Sequence, residues 1–470
     1  MKKIIASALC LSMAAAVFAG CTPEETTATT TTAAPAGSEV AGSEAPADTE
    51  AAGDKIVINL WSFTDEVPKM VDKYKELNPE FAEKFDVKVT IIATTNQEYQ
   101  PALDAALQGG GEEAPDIYCA EAAFIMKYSQ GDASSFACSY EDLGIDVTTA
   151  IADAQIAQYS VDIGTNSDGQ VVALGYQATG GCFIYRRSIA TEVFGTDDPA
   201  TISTEIGPGL DKFFEAAATL KDAGYAIVSG DGDLWHPIEN SSSSPWVVDG
   251  NLVVSSERES FLDYSMQLME NGYHNNTQDW TEAWYADMAG EGEKGCFGFF
   301  GPAWLINYTM GSNCGETAGD WAVCDSPIGF FWGGTWILAN KSVADADAEK
   351  KQAIADLIYW ITLDTSETGL QYLWANGLMN DAGTKDSVAS AVVMANSDGT
   401  CDFLGGQNMF DYFIPANDNA SGACLTQYDE AINALWRDQV RQYTSGEKDR
   451  ETALADFQSA VNEQLGISVG

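Results

Sequence analysis

Twelve tryptophans stand in this chain, and Trp61, Trp235, Trp304 and Trp332 fall where strands are expected to end, with Trp336 close behind. An indole face is a flat, apolar, slightly negative platform, and the C–H face of a sugar ring is its natural partner. Nearby carboxylates and amides would then take the sugar hydroxyls. In open α/β sheets the crevice beyond the carboxyl ends of the strands is where ligands bind. Trp374 is a further candidate, whereas Trp360 and Trp436 lie on apolar helix faces and read as core.

Catalytic signatures are missing. The chain has no Walker A loop, no GxSxG elbow and no HExxH, and only two histidines, His236 and His274. The stretch "GEGEKG" (290–295) matches GxGxxG in form but precedes a strand and carries three charges, so it reads as a turn. "SGDGD" (229–233) lacks the spacing and closing Glu of a calcium loop and reads as a loop. A carboxylate pair could perform glycoside hydrolysis, but 70 acidic residues single out none. The chain therefore reads as a binder, not an enzyme, with no cofactor and no metal site.

The elements that would position these residues alternate. "KIVINLW" (55–61) is a strand, and Met70, Tyr74 and Leu77 mark a helix that Pro79 stops. "DVKVTIIA" (86–93) and "PDIYCA" (115–120) are strands with a helix over 98–108 between them. Strand–helix alternation is the signature of an α/β layer with parallel pairing. "QVVALGY", "CFIYRR", "AIVSG", "CFGFFG" and "TWILANK" read as further strands. Leu210, Phe213, Phe214, Ala217 and Leu220, then Ile354, Leu357, Ile358 and Ile361, mark amphipathic helices. A face running from Tyr428 through Ile432, Trp436 and Val440 to Tyr443 marks another. From residue 54 onward the length suits two domains.

The formal charge is −47, from 23 basic and 70 acidic residues. Such a body repels phosphate backbones and anionic surfaces, which argues against nucleic acid and leaves neutral or cationic solutes. Beyond Cys10 and Cys21, eight cysteines remain. An even count in an exported chain suggests disulfides, with 105 pairings open. Proximity in sequence favours Cys314–Cys324, Cys119–Cys138 and Cys401–Cys424, leaving Cys182–Cys296. Such loops would contribute about 3 kcal/mol each, unless the thiols stay reduced and buried.

Lys2 and Lys3 precede an uncharged apolar run from Ile4 to Phe18, a signal-peptide pattern too short to span a bilayer permanently. Phe18-Ala19-Gly20-Cys21 resembles the lipobox of bacterial lipoproteins, in which the cysteine is lipidated after cleavage. Residues 1–20 thus read as a lipoprotein signal peptide. Residues 21–53 read as a lipidated Cys21 and a disordered tether, being almost all Thr, Ala, Glu, Ser, Pro, Gly and Asp.

In order, "KIVINLWSFTDE", "APDIYCAE", "DGQVVALGYQATGGCFIYRRSI", "CFGFFGPAW" and "GGTWILANKS" resemble segments of the bacterial extracellular solute-binding proteins of carbohydrate ABC importers. That group includes maltodextrin-binding protein. Gly175 stands where the family usually has proline, Arg186-Arg187 where it has Asn-Lys, and Ala303 is inserted before Trp304. The resemblance implies a two-lobed α/β, periplasmic-binding-protein-like fold with an interlobe cleft and hinge crossings. It implies lobe 1 over 55–172 plus 335–390 and lobe 2 over 173–334 plus 391–470. It places Trp61, Asp65, Glu66, Glu121, Tyr176, Gln177, Trp235, His236, Trp304, Trp332, Gly333, Gly334 and Trp336 at the ligand. The implied function is capture of a sugar, in particular an oligosaccharide, by a monomer anchored through Cys21 to the outer face of the cytoplasmic membrane, for delivery to ABC permease subunits. The alternatives are the same fold binding a polyamine or basic peptide, and a surface glycan-degrading enzyme.

Overall fold

A computed structural model describes residues 55–469; the signal segment, Cys21 and the tether lie outside the described residues. Strand Ile56–Ser62 opens the first sheet and buries Ile58 and Leu60 completely. Phe85–Ile91 pairs with it in parallel, Ile56 opposite Phe85, and Ile117–Glu121 joins its other edge, Leu60 opposite Ile117. Thr335–Ala339 then runs antiparallel between Ile117–Glu121 and Ala173–Gly175.

Helix Glu66–Leu77 buries Val67, Met70, Val71 and Tyr74, and Ala348–Thr362 buries Ile354, Leu357, Ile358 and Ile361. Both sets follow the i, i+3, i+4, i+7 stripe that turns one helix face inward. They pack with Ile58 and Ile337 into one core, while Tyr99, Leu103, Tyr118 and Trp336 form another. Each such side chain contributes about 1.5–3 kcal/mol on burial.

The second sheet is antiparallel: Cys182–Arg186 lies between Gly298–Gly301 and Trp321–Cys324, with Phe183 opposite both Phe300 and Cys324. Helices Leu210–Asp222, Asp429–Thr444 and Arg450–Leu465 wrap its core through Phe213, Trp436 and Phe457. The chain passes to this sheet over 176–181 and returns over 325–334. A third passage spans 375–393, where Val388 packs in the second body and Ala389 in the first.

Some sequence expectations fail locally. "AIVSG" does not form a full strand: Ala226 and Ile227 pair briefly in parallel with the run that leads into strand Gly298–Gly301, and Val228 bridges His274. "SGDGD" is not a loop but the start of helix Asp231–Asn240, where the Gly230 N–H donates to the Asp233 carboxylate at 2.9 Å. None of the four proposed disulfides is present, and all eight cysteines of the described residues are free. The register places Gly301 opposite Cys182, five residues from Cys296 and so about 16 Å along the strand. Cys324 is buried in the second core, while Cys314 ends a short helix and meets the Gly315 carbonyl. Cys401 packs near Trp321, whereas Cys424 lies near Arg258. Cys119 and Cys138 share one apolar core, where burial pushes the Cys119 thiol up to about 12. Buried free cysteines of this kind act as small hydrophobes.

Candidate ligand-binding cleft

Where the first strand ends, the chain turns into helix Glu66–Leu77 and presents Phe63, Thr64, Asp65 and Glu66 to a cavity of about 520 Å³. Carboxylates at a helix N-terminus complement its dipole, so this turn can hold them at little cost. Asp65 is tied to Lys69 at 2.7 Å, an exposed pair. Glu66 accepts a hydrogen bond from the Tyr176 hydroxyl, and burial raises its carboxyl above the ordinary range. Tyr176 is itself buried and stacks on Trp374 with ring centroids 5.4 Å apart.

Two more carboxyls face the same space. Glu121 ends strand Ile117–Glu121, accepts the Ala123 N–H at 2.8 Å, and is pushed up to about 7 by burial. Asp386 accepts the Ser387 N–H at 2.7 Å and is likewise pushed to about 7 by burial. Gln177 lies beside them at the first crossing. Among the described residues lining the cavity, Lys69 is the only basic one.

The opposite wall is aromatic. Strand Gly298–Gly301 runs through Pro302 and Ala303 to Trp304, whose Nε1 donates to the Trp332 carbonyl at 2.9 Å. The Trp304 ring meets Trp332 edge to face at 4.7 Å. It also covers Gly333, where a Cβ would lie 3.3 Å from Nε1 and where φ is +68°; both facts call for glycine. A π-helical stretch, Leu305–Met310, follows and carries Tyr308, which is 74% exposed at the cavity. Wide turns of this kind are frequent at functional sites.

A second chamber, about 130 Å³, adjoins the first and shares Glu121 and Gly333 with it. Trp332, Glu239, Asp429 and Glu430 also line it. Burial raises Glu239 to about 7 and Asp429 to about 6. Glu430 of this lining also accepts a hydrogen bond from the Gln100 amide at 2.8 Å.

Of the residues singled out from sequence, Asp65, Glu66, Glu121, Gln177, Trp304, Gly333, Gly334 and the further candidate Trp374 line the cavity, and Trp332 lines the side chamber. Five others do not. Trp235 lies inside helix Asp231–Asn240, 1% exposed against Phe261, because a helix stands where the sequence reads as a loop. Trp336 points to the sheet face opposite Thr335 and donates to the Ser160 carbonyl at 3.0 Å inside the core. Trp61 packs half-buried on the Tyr99–Tyr118 core, and its neighbour Phe63 reaches the cavity instead. His236 is buried behind Trp332, stacked at 3.6 Å, and burial drives it down to about 3, so it is neutral. Tyr176 acts from beneath by holding Glu66. Sequence reading missed Phe63, Lys69, Tyr308 and Asp386; only Tyr308, one helical turn after Trp304, carried a usable signal.

A family model described as bacterial extracellular solute-binding protein matches residues 69–397. The chain belongs to this family. Sequence comparison with curated proteins gives no match. Among solved structures, this solute-binding protein is similar to an extracellular solute-binding protein family 1 member, with TM-score 0.70 and 16% identity over 87% of this chain and 99% of that one. It is also similar to the galacto-N-biose/lacto-N-biose I-binding protein of the Bifidobacterium longum ABC transporter, solved with lacto-N-biose (TM-score 0.63, 18% identity, 89% and 100% covered). A third is the Streptomyces glaucescens GacH receptor, solved free and with acarbose (TM-score 0.59, 16% identity, 88% and 99% covered). These likenesses show the two-lobed α/β fold, with the cavity described above between its bodies.

Proposed function

We propose that this solute-binding protein captures a sugar, in particular an oligosaccharide, in its cleft and delivers it to an ABC permease. Lobe 1 would comprise 55–172 plus 335–390, and lobe 2 would comprise 173–334 plus 391–470. The observation that carries the reading is the pairing of walls: the Trp304 indole faces a space bordered by Asp65, Glu66, Glu121, Gln177 and Asp386. Stacking on the indole supplies apolar contact, and the carboxylates accept hydrogen bonds from hydroxyls. A solute touching both walls stabilises the closed arrangement, so closure is a population shift driven by the ligand. The sugar-bound neighbours named above support this class of solute. The protein acts as a binder, held by a lipid on Cys21 to the outer face of the membrane and working as a monomer.

A second reading is a cationic solute. Four carboxyls and one lysine line the cavity, and that lysine is already paired with Asp65. A thermal-shift screen of the purified protein against mono- and oligosaccharides, polyamines and basic peptides separates the two. A ligand at a hundredfold excess over its Kd stabilises the fold by about 2.7 kcal/mol. A shift with glycans supports sugar capture; a salt-sensitive shift with polyamines alone replaces it by the second reading. Release of products from a glycan on long incubation would instead make the protein an enzyme.

A further inference from the structure

The loop before helix Glu282–Ala289 is built around one strained residue. Trp280 has φ +64°, a left-handed conformation that bulky side chains rarely adopt. Such strain persists only where the surroundings over-determine it, and it clusters at binding sites. The surroundings here do so. The preceding Asp279 is buried and accepts the Arg437 Nη2 at 2.8 Å, with His236 Nε2 at 3.8 Å. The following Thr281 caps the helix through the Trp284 N–H.

The indole held by this pinned backbone is not packed away. Trp280 is 47% exposed. Its ring is parallel to Trp304, 6° apart in plane and 6.2 Å between centroids. Both rings meet Trp332 at 62°. Trp280 also touches Trp284 at 5.5 Å, and this contact leaves about half of the residue open to solvent. Two parallel indoles set at one angle by a shared third, one at the cavity and one outside it, form a continuous aromatic track.

We infer that Trp280 is a second stacking platform, one ring position beyond Trp304, so that the site takes a glycan of at least two consecutive sugar rings and senses its length. This rests on the reading of the cleft as a sugar site.

The test is calorimetric titration of the wild-type protein, Trp280→Ala and Trp280→Phe with one- to four-ring glycans of a single linkage, taken from the thermal-shift hits. Trp280→Ala is expected to weaken ligands of two or more rings about tenfold and to leave the single-ring sugar unchanged, with Trp280→Phe recovering most of the loss. Equal weakening at every length assigns Trp280 a structural role and overturns the inference, as does no weakening at all. Acrylamide quenching of the unsubstituted protein gives a readout independent of variant folding. The longer glycans should shield one more tryptophan than the single-ring sugar, and equal shielding overturns the inference. If no glycan binds the wild-type protein, the sugar reading itself fails and this inference with it. Glycans that bind wild type and Trp280→Ala alike remove only the second platform.

Discussion

The two walls of the cleft are chemically unlike. One wall gathers Asp65, Glu66, Glu121 and Asp386, carboxyls set by a helix start, a strand end and a crossing. The other offers Trp304 and Tyr308, rings carried on a strand exit and a π-helical stretch. Hydrogen bonds to carboxylates are directional and fix how a solute lies. Ring stacking is broader and supplies most of the apolar contact. On the proposed reading a solute would use both walls, one for orientation and one for affinity, and lobe closure would respond to it for that reason.

The largest effect should come from the aromatic wall. Trp304→Ala is expected to weaken glycan binding at least tenfold, or about 1.4 kcal/mol, with the thermal midpoint of the free protein little changed. An unchanged Kd in calorimetry would remove Trp304 from the site and end the contrast between the walls. Next comes the support of the acidic wall. Tyr176→Phe takes the donor from Glu66, and we expect about fivefold weaker binding, roughly 1 kcal/mol. Because the two residues act on opposite sides of the ligand, the double variant should show the sum of both losses to within about 0.5 kcal/mol. Strong coupling would mean that the walls work as one unit.

The elements of these walls were readable from sequence to different depths. Met70 and Tyr74 stand at helical spacing after the apolar run "KIVINLW", so the turn between them, with Asp65 and Glu66, could be located, although Leu77, read on the same face, is 40% exposed. Trp304 stands two residues after Pro302, which directly follows an apolar strand. Trp235 also looked like a strand-end residue, but Gly230 and Asp233 start a helix there and carry the indole into the core. Trp336 was misplaced for a simpler reason. Strand residues alternate in direction, and Thr335, not Trp336, faces the cleft. Asp386 and Trp280 had no periodic signal at all. Their loops are held by distant partners, as Asp279 is by Arg437, 158 residues away. Local pattern cannot reveal such contacts. Cysteine pairing was unreadable for the same reason, since sheet register and not sequence distance sets what faces Cys182.

Proton uptake offers a smaller and different way to sharpen the contrast. Burial raises Glu121, Glu239 and Asp386 to about 7 and Asp429 to about 6. Between their ordinary range near 4 and these values, the folded protein holds more protons than the unfolded chain. Their stabilising contribution is therefore complete below about pH 4 and is lost as pH rises through 6 to 7. His236, driven down to about 3, works in the opposite sense, mostly below its ordinary value of 6.5 and by only about 0.4 kcal/mol between pH 6.5 and 8. In that window the several carboxyls outweigh it. There we expect the thermal midpoint of the ligand-free protein to fall, by up to about 0.8 kcal/mol for each carboxyl near 7. Glu239→Gln should flatten the fall, even though Arg437 and Arg258 lie near that carboxyl. A midpoint that rises over this window would mean that the carboxyls stay charged in the fold.

The smallest effect is expected at Lys69, and it bears on which solute the acidic wall serves. Lys69 and Asp65 form a pair at 2.7 Å, with side chains 70% and 64% exposed. Exposed pairs are worth little, about 0.2–1 kcal/mol. Lys69→Met should therefore change the Kd of a neutral glycan less than about twofold. The same substitution leaves Asp65 without its partner and makes the wall more negative. A polyamine or basic peptide should then bind severalfold tighter, and most visibly at low salt, where charges on an open surface are least screened. Titrating the variant with one neutral and one cationic solute compares the two readings on a single residue. A gain for the cation beside an unmoved glycan would show that the acidic wall tolerates charge without being built for it. Tight binding of the cation by the wild type, with no glycan response, would make the carboxylates the principal wall and the indoles its support.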